Sequence, residues 1–278
     1  MCMVRTDLAV EATALRDAEA AERLPGVRVQ TRETEGFTLT EVDITSEEAG
    51  RELGKPRGHY VTLALDGLLA RQESAFPRAV SLLAGQLRAM LPAEGLVLVA
   101  GLGNRSITPD AIGPETLRST LVTRHLAAQT GALGRLRPVA ACAPGVLGTT
   151  GIESADYLTA LCGQIAPAAV VAVDALAAAD FSRLCATVQL TDTGIVPGSG
   201  VGNRRAALNR EALGVPVIAL GVPTVVDAGA FAPEAGDMFV TPRDIDRRVR
   251  EVSRLLGYAL NLALQPTLTV ADVDMLLG

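Results

Sequence analysis

The chain is poor in groups that decide whole classes of function. It has no tryptophan, three tyrosines and five phenylalanines in 278 residues, and Lys55 is its single lysine. Scarce aromatic faces and a net charge of −6 supply neither stacking platforms nor a basic field, so no nucleic-acid partner is expected. With lysine only at position 55, in "RELGKPRG", no G-x-x-x-x-G-K-S/T loop exists to cradle phosphates. The four cysteines, Cys2, Cys142, Cys162 and Cys185, show no C-x-x-C spacing, and the two histidines, His59 and His125, are far apart in sequence. That excludes the usual zinc patterns and points to reduced core thiols and incidental histidines, with no metal and no cofactor expected. The longest apolar run, residues 166–179, is interrupted by Asp174 and is shorter than the ~20 residues of a membrane-spanning helix. The opening "MCMVRTDLAVE" has no apolar h-region, so a cytoplasmic chain without membrane contact is expected.

Apolar residues are plentiful, at 49% of the chain, enough for one large core, and a single domain over residues 1–278 is expected. "VRVQTRETEGFTLTEVDIT" alternates apolar and polar residues around a Glu-Gly turn, which predicts an antiparallel hairpin near residues 27–45. "GLVLVAG", "RPVAACAPG", "AAVVAVDA" and "VPVIALGVP" are instead continuous apolar runs, the pattern of parallel strands covered on both faces. "CATVQL" resembles an edge strand. Helices are expected over about 75–91, 113–129, 151–165 and 244–264. The pattern predicts an α/β fold, a mostly parallel sheet flanked by helices with an N-terminal antiparallel hairpin.

In such sheets the working site lies beyond the carboxyl ends of the strands. The segments there are "GLGNRSITPD", "APGVLGTTGIE", "DALAAADFSR" and "GVPTVVDA", with "TDTGIVPGSGVGNRR" after the edge-like strand. Asp110, Glu153, Asp174, Asp192 and Asp227 can therefore converge on one rim. The glycine loop after the first strand is a poor dinucleotide fingerprint, because Ser106 replaces the third glycine and Pro109 and Pro114 crowd the turn. "DTG" at Asp192 to Gly194 occurs once, in a chain unlike a pepsin-type β protein. A carboxylate pair is the remaining chemistry: Asp174 ends an apolar strand, where desolvation raises its pKa, and a neighbouring acid such as Asp110 would force a proton to be shared. Each of these acids is equally compatible with a helix cap or a salt-bridged loop.

Several blocks in register, "VRTDLAVEA", "RGHYVTL", "GLGNRSITPDAIGP", "LVTRHL", "PGVLGTTGIE", "VDALAA", "TDTGIVPGSGVGNRR" and "GVPVIALGVPTVVDA", resemble the germination protease family of bacterial spores. The resemblance runs from Val4 to about Ala228. It implies an endopeptidase of small acid-soluble spore proteins, located in the spore core or forespore. It also implies a fold similar to the hydrogenase-maturation proteases, a homotetramer, and synthesis as an inactive precursor. It implies that the family's paired catalytic aspartates fall on Asp110 and Asp174, with Thr108, Glu153 and Asp192 as supporting or substrate-binding candidates. Two other functions fit the same fold: a maturation-type protease using a metal carried by its substrate, and a non-catalytic sporulation assembly or binding protein. The family cuts after an acidic residue in a Thr-Glu-aliphatic-Ala setting, and Thr6-Asp7-Leu8-Ala9 is similar to that site. Residues 1–7 are therefore expected to be a short propeptide, cut between Asp7 and Leu8, with Arg5 holding an active-site carboxylate in an ion pair until it leaves.

Overall fold

The computed structural model describes residues 6–20, 24–66, 74–126, 136–203, 205–235 and 238–278. In chain order its main elements are α1 (Ala9–Ala20), β1 (Val27–Thr34), β2 (Phe37–Ile44), α2 (Glu47–Leu53), β3 (Gly58–Ala64), α3 (Ala75–Met90), β4 (Val97–Gly101), β5 (Val139–Cys142), α4 (Ser154–Ile165), β6 (Ala169–Ala178), β7 (Thr187–Thr191), β8 (Val217–Asp227), β9 (Phe239–Val240), α5 (Ile245–Leu264) and α6 (Val270–Leu277). The described strands form one mixed sheet in the order β1-β2-β3-β7-β8-β6-β4-β5, with β9 added on β8. β5, β4, β6 and β8 run parallel. β7 is antiparallel to β8 and to β3, and β1, β2 and β3 form an antiparallel meander.

The α/β expectation is met, and the apolar runs explain why. In β4, Val97 and Val99 enter a core with α3 and α5, whereas Leu98 and Ala100 enter a second core with Leu158 and Cys162 of α4. β6 divides the same way, Val171 and Val173 facing one core and Val170 and Ala172 the other. A strand buried on both faces has no polar alternation to show. The hairpin is also where the sequence places it, and Glu35 and Gly36 at its tip both have positive φ, 52° and 83°, as a two-residue turn of that hand requires.

Two expectations are corrected. The helix over 113–129 is a five-residue helix, Ile112–Thr116, followed by single 3-10 turns at Leu117–Ser119 and Arg124–Leu126; residues 127–129 lie outside the described set. Thr116 and Thr120 turn their hydroxyls back onto the carbonyls of Ile112 and Thr116, while Leu121 N–H and Ser119 C=O pair with the Asn261 amide of α5 instead of with the next turn. "CATVQL" forms β7, an interior strand, because β3 adds to its outer side and buries every residue from Thr187 to Thr191. β3 itself, "GHYVTLA", and α1 have no counterpart among the expected elements.

Chain routing prepares the site. From β4 the chain crosses to β5 through residues that pack against α5, with Ser253 Oγ donating to the Ile112 carbonyl at 3.3 Å. From β5 it returns to β6 through α4 on the opposite face. β4 thus has β5 on one side and β6 on the other, and the connections leave on opposite faces, which opens a crevice at the carboxyl ends of β4 and β6.

Candidate active site

β4 ends before β6 does. Gly101↔Val173 is their last pair, and Leu102 N–H donates once more to the Val173 carbonyl at 2.8 Å. Asp174 is the next residue of β6, paired with Gly221 of β8 on one side and free of β4 on the other. It is 4% exposed, and its Oδ1 accepts the Ala175 N–H at 2.9 Å. Burial pushes its pKa well above the ordinary carboxylate range; the Asp110 charge adds to that, the Ala175 N–H works against it, and the Asp7 charge adds a further rise.

Asp110 reaches the same crevice by a tight return. The chain leaves β4 through Gly103, whose φ of +103° and whose missing Cβ are both required, since a Cβ there would stand 2.0 Å from the Asp110 carbonyl oxygen. Asp110 closes the 3-10 turn Thr108–Asp110, with Pro109 inside its first turn, and its Oδ2 accepts the Asn104 N–H at 2.7 Å. Gly113 lets the following helix press against the strand ends, because a Cβ at that position would lie 2.3 Å from Leu102 N and 2.5 Å from Val173 O. The glycines of "GLGN" and "AIGP" therefore serve close backbone packing. Burial raises the Asp110 pKa and the Asn104 N–H partly offsets it.

Asp110 and Asp174 line one cavity of about 400 Å³, together with Glu153, Arg205, Ser199 and Asp7. Glu153 stands at the N-cap of α4 with its Oε1 3.8 Å from Arg205 Nη1, so it is near the pair and has its own cation. Thr108 lines no part of that cavity and donates to Asp246 Oδ1 at 2.7 Å. Asp192 is also outside it: its Oδ1 accepts the His59 N–H at 2.9 Å, extending the pairing of β3 with β7. Asp227 caps a 3-10 turn through Gly229 N–H at 2.9 Å. Of the five rim acids, the structure thus brings together Asp110, Asp174 and Glu153.

Asp7 is the acid that rim reasoning did not include. Its backbone N–H donates to Ala177 O at 2.9 Å, its Oδ2 accepts Ala177 N–H at 2.9 Å, and its Oδ1 accepts Ser199 Oγ at 2.8 Å. Gln189 of β7 holds the backbone after it, Nε2 donating to Asp7 O at 3.1 Å and Oε1 accepting Ala9 N–H at 2.8 Å. Leu8 is fully buried against Leu176, Ala178, Leu184 and Val226. Arg5 lies outside the described residues. The signal for Ser199 was the "PGSG" loop, legible as a turn but not as a partner of the amino-terminal segment.

Among the described residues no group of three His, Cys, Asp or Glu side chains is placed to share a metal ion. Cys162 and Cys185 are buried and Cys142 partly so; burial pushes the Cys142 and Cys185 thiols up to about 11 and about 12. Among the described residues no helix is long and apolar enough to cross a membrane.

A family model described as germination protease matches residues 3–237. The chain belongs to the germination protease family. Its relatives include the germination protease of Caldanaerobacter subterraneus subsp. tengcongensis, 38% identical over 322 aligned residues that cover 99% of this chain and 98% of the relative. The Clostridium perfringens (strain ATCC 13124) protein is 37% identical with both chains fully covered, and that of Geobacillus sp. (strain WCH70) is 40% identical over 91% of this chain and 71% of its own. The 322 aligned residues exceed the 278 of this chain, so the relative carries additional residues within the shared span. Among solved structures, a NiFe hydrogenase maturation protease from Thermococcus kodakarensis is similar over 63% of this chain and 99% of its own, with a TM-score of 0.39 and 16% identity. Membership in the germination protease family makes this chain a protease of spore germination.

Proposed function

We propose that this chain is an endopeptidase that begins the degradation of small acid-soluble spore proteins, with Asp110 and Asp174 as an acid/base pair. The observation that carries the proposal is the pair itself. Two carboxyls with raised pKa values line one cavity at the sheet's switch point, and the charge of one raises the pKa of the other. The more deeply buried Asp174 holds the proton. Asp110, supported by the Asn104 N–H, is ionised and takes a proton from water. The water oxygen bonds to the peptide carbonyl carbon, and the Asp174 proton passes to the departing amide nitrogen as the C–N bond breaks.

The same chemistry would act on the chain itself between Asp7 and Leu8, releasing residues 1–7 as a propeptide. In support, Asp7 lines the cavity that holds the pair, and Gln189 fixes the carbonyl of that bond. The domain, residues 1–278, would work as a homotetramer in the spore core or forespore, without nucleic acid, membrane or cofactor. Glu153, beside Arg205 in the cavity wall, is the better placed of the supporting candidates; Thr108 and Asp192 would act only through the loops they tie down. The test is incubation with a small acid-soluble spore protein, with and without chelator, using Asp110→Asn as control. Chelator-insensitive cleavage that Asp110→Asn abolishes is expected. Sensitivity to chelator would favour a maturation-type protease using a metal on its substrate. No cleavage by the wild-type or self-processed chain would favour a binding protein that kept the fold.

A further inference from the structure

Two cavities near the site share a wall. One holds the carboxylate pair; the other, about 850 Å³, runs toward Tyr60 and Gln189 under α2. Both are lined by Asp7, Leu176, Ile195, Val196, Ser199 and Gly200. Asp7 therefore sits where one groove is divided, and it sits there as a strand residue would. The β6 edge beyond Val173 has lost β4 as its neighbour, and Asp7 fills the vacancy by donating its N–H to Ala177 O. Glu11 continues the cover, accepting Ala179 N–H at 2.7 Å and Asp180 N–H at 3.1 Å.

The seat of the Asp7 side chain is built for a carboxylate. One oxygen takes the Ser199 hydroxyl and the other the Ala177 N–H, so each has a donor. The loop comes close enough only because residue 200 is glycine: a Cβ there would lie 2.1 Å from Asp7 Oδ2 and 2.6 Å from Ala177 Cβ. An amide side chain could accept from only one of these donors, would have to turn its NH₂ to the Ser199 oxygen, and would bring no charge to strengthen either bond.

We propose that Ser199, the Ala177 N–H and Gly200 form a receptor for an acidic side chain of a bound peptide, with Asp7 as its resident occupant and the β6 edge as the track for the peptide backbone. The inference rests on the proposed function in that the peptide's bond after the acid is the one presented to Asp110 and Asp174. The backbone N–H to Ala177 O gives register, and Gln189 grips the carbonyl after the acid and the N–H two residues on. Ser199 is a specificity-determining residue in this scheme and takes no part in the proton transfers.

The test uses the full chain carrying Asp7→Ala, which empties the seat, and Asp110→Asn, which prevents turnover. Calorimetry compares the peptide Val-Arg-Thr-Asp-Leu-Ala-Val-Glu with its Asn counterpart; competition from the chain's own segment is common to both and cancels in the ratio. The acidic peptide should bind about tenfold or more tightly than the Asn peptide, as the exchange of charge-assisted hydrogen bonds for neutral ones predicts. Adding Ser199→Ala should bring the ratio within about threefold, and Ser199→Thr, which keeps the hydroxyl, should restore it. Equal affinities without a Ser199 change, a ratio that survives Ser199→Ala, or no binding of either peptide each overturns the receptor. Restoring Asp110 separates the two proposals: acid preference without cleavage refutes the catalytic reading alone, and cleavage without acid preference refutes the receptor alone.

Discussion

The parallel half of the sheet, β5-β4-β6-β8, and the antiparallel half, β7-β3-β2-β1, differ in what their strand ends can hold. In the parallel half, every residue of β4 is buried, and the connections leave on opposite faces, so β4 stops at Gly101 while β6 runs on to Ala178. The overhang is a buried place where β4 no longer pairs with the β6 edge and the Asp7 segment takes over part of it, and it carries Asp174. In the antiparallel half, β1 and β2 are joined by a two-residue turn and paired to their ends, Val27↔Ile44 through Thr34↔Phe37, and six of the eight residues of β1 are exposed. Acids there meet water, a ring nitrogen or a cation: Asp43 Oδ1 lies 2.6 Å from His59 Nδ1, and Arg32 pairs with Glu41 at 2.9 Å. A raised carboxyl pKa needs a site that excludes water and offers few donors, which staggered parallel ends supply and a fully paired hairpin does not. The groove nevertheless crosses the junction, since Gln189 of β7, Gly221 of β8 and Asp174 of β6 fall in one row.

The contrast is sharpest in activity. Asp174→Asn should fold and lose peptide cleavage by about a thousandfold or more, because the members of an acid/base pair act as a unit. Asp43→Asn, in the antiparallel half, should change kcat/KM by less than about twofold. Near-normal turnover by Asp174→Asn would remove the pair from the mechanism.

Stability should separate the halves next. Gly113→Ala forces a Cβ into backbone atoms of Leu102 and Val173 and should cost about 3 kcal/mol or more. Gly54→Ala, at φ +64° with nothing within 4 Å, should cost about 1 kcal/mol from backbone conformation alone. Urea midpoints that fall equally for the two variants would contradict the close packing around Asp110. A smaller step of the same kind is Val171→Ala, fully buried in β6, at about 2 kcal/mol, against Val29→Ala on the exposed face of β1 at within about 0.5 kcal/mol.

The gentlest expected difference is one of slope. Because the folded-state pKa of Asp174 is raised, the folded chain binds its proton more tightly than the unfolded chain does. Its contribution to stability is full below the ordinary carboxylate pKa and is lost as pH rises through the folded value. The stability of wild type relative to Asp174→Asn should therefore decline with rising pH, by at most about 1.4 kcal/mol per pH unit for one proton. Urea unfolding of both proteins between pH 4 and 8 measures it, and a difference that stays flat or rises over that range would show that Asp174 is not held protonated.

Local patterning carried most of the fold. The alternation around Glu35-Gly36 determined a hairpin, and the continuous runs through Val97–Gly101 and Ala169–Ala178 determined doubly covered strands, because face burial is written in the period of the apolar residues. The same runs pointed to Asp110 after β4 and to Asp174 at a strand end, and the block resemblance singled out the two. Asp174 instead lies inside β6, one residue past the last pair with β4, because β8 keeps β6 extended to Ala178. Tertiary structure alone decided which strands are neighbours: β7 became interior only when β3 docked on it, and the 113–129 stretch gave up its helix to pairing with Asn261. It also decided which acids meet. Asp192 follows β7 and Asp227 ends β8, yet their carboxylates accept N–H groups of β3 and of a local turn. Asp7, 167 residues before Asp174, lines the same cavity because the β6 edge needs hydrogen-bond partners where β4 ends. Periodicity reports which face of an element is buried, whereas the pairing of distant polar groups depends on strand order and on where each strand stops.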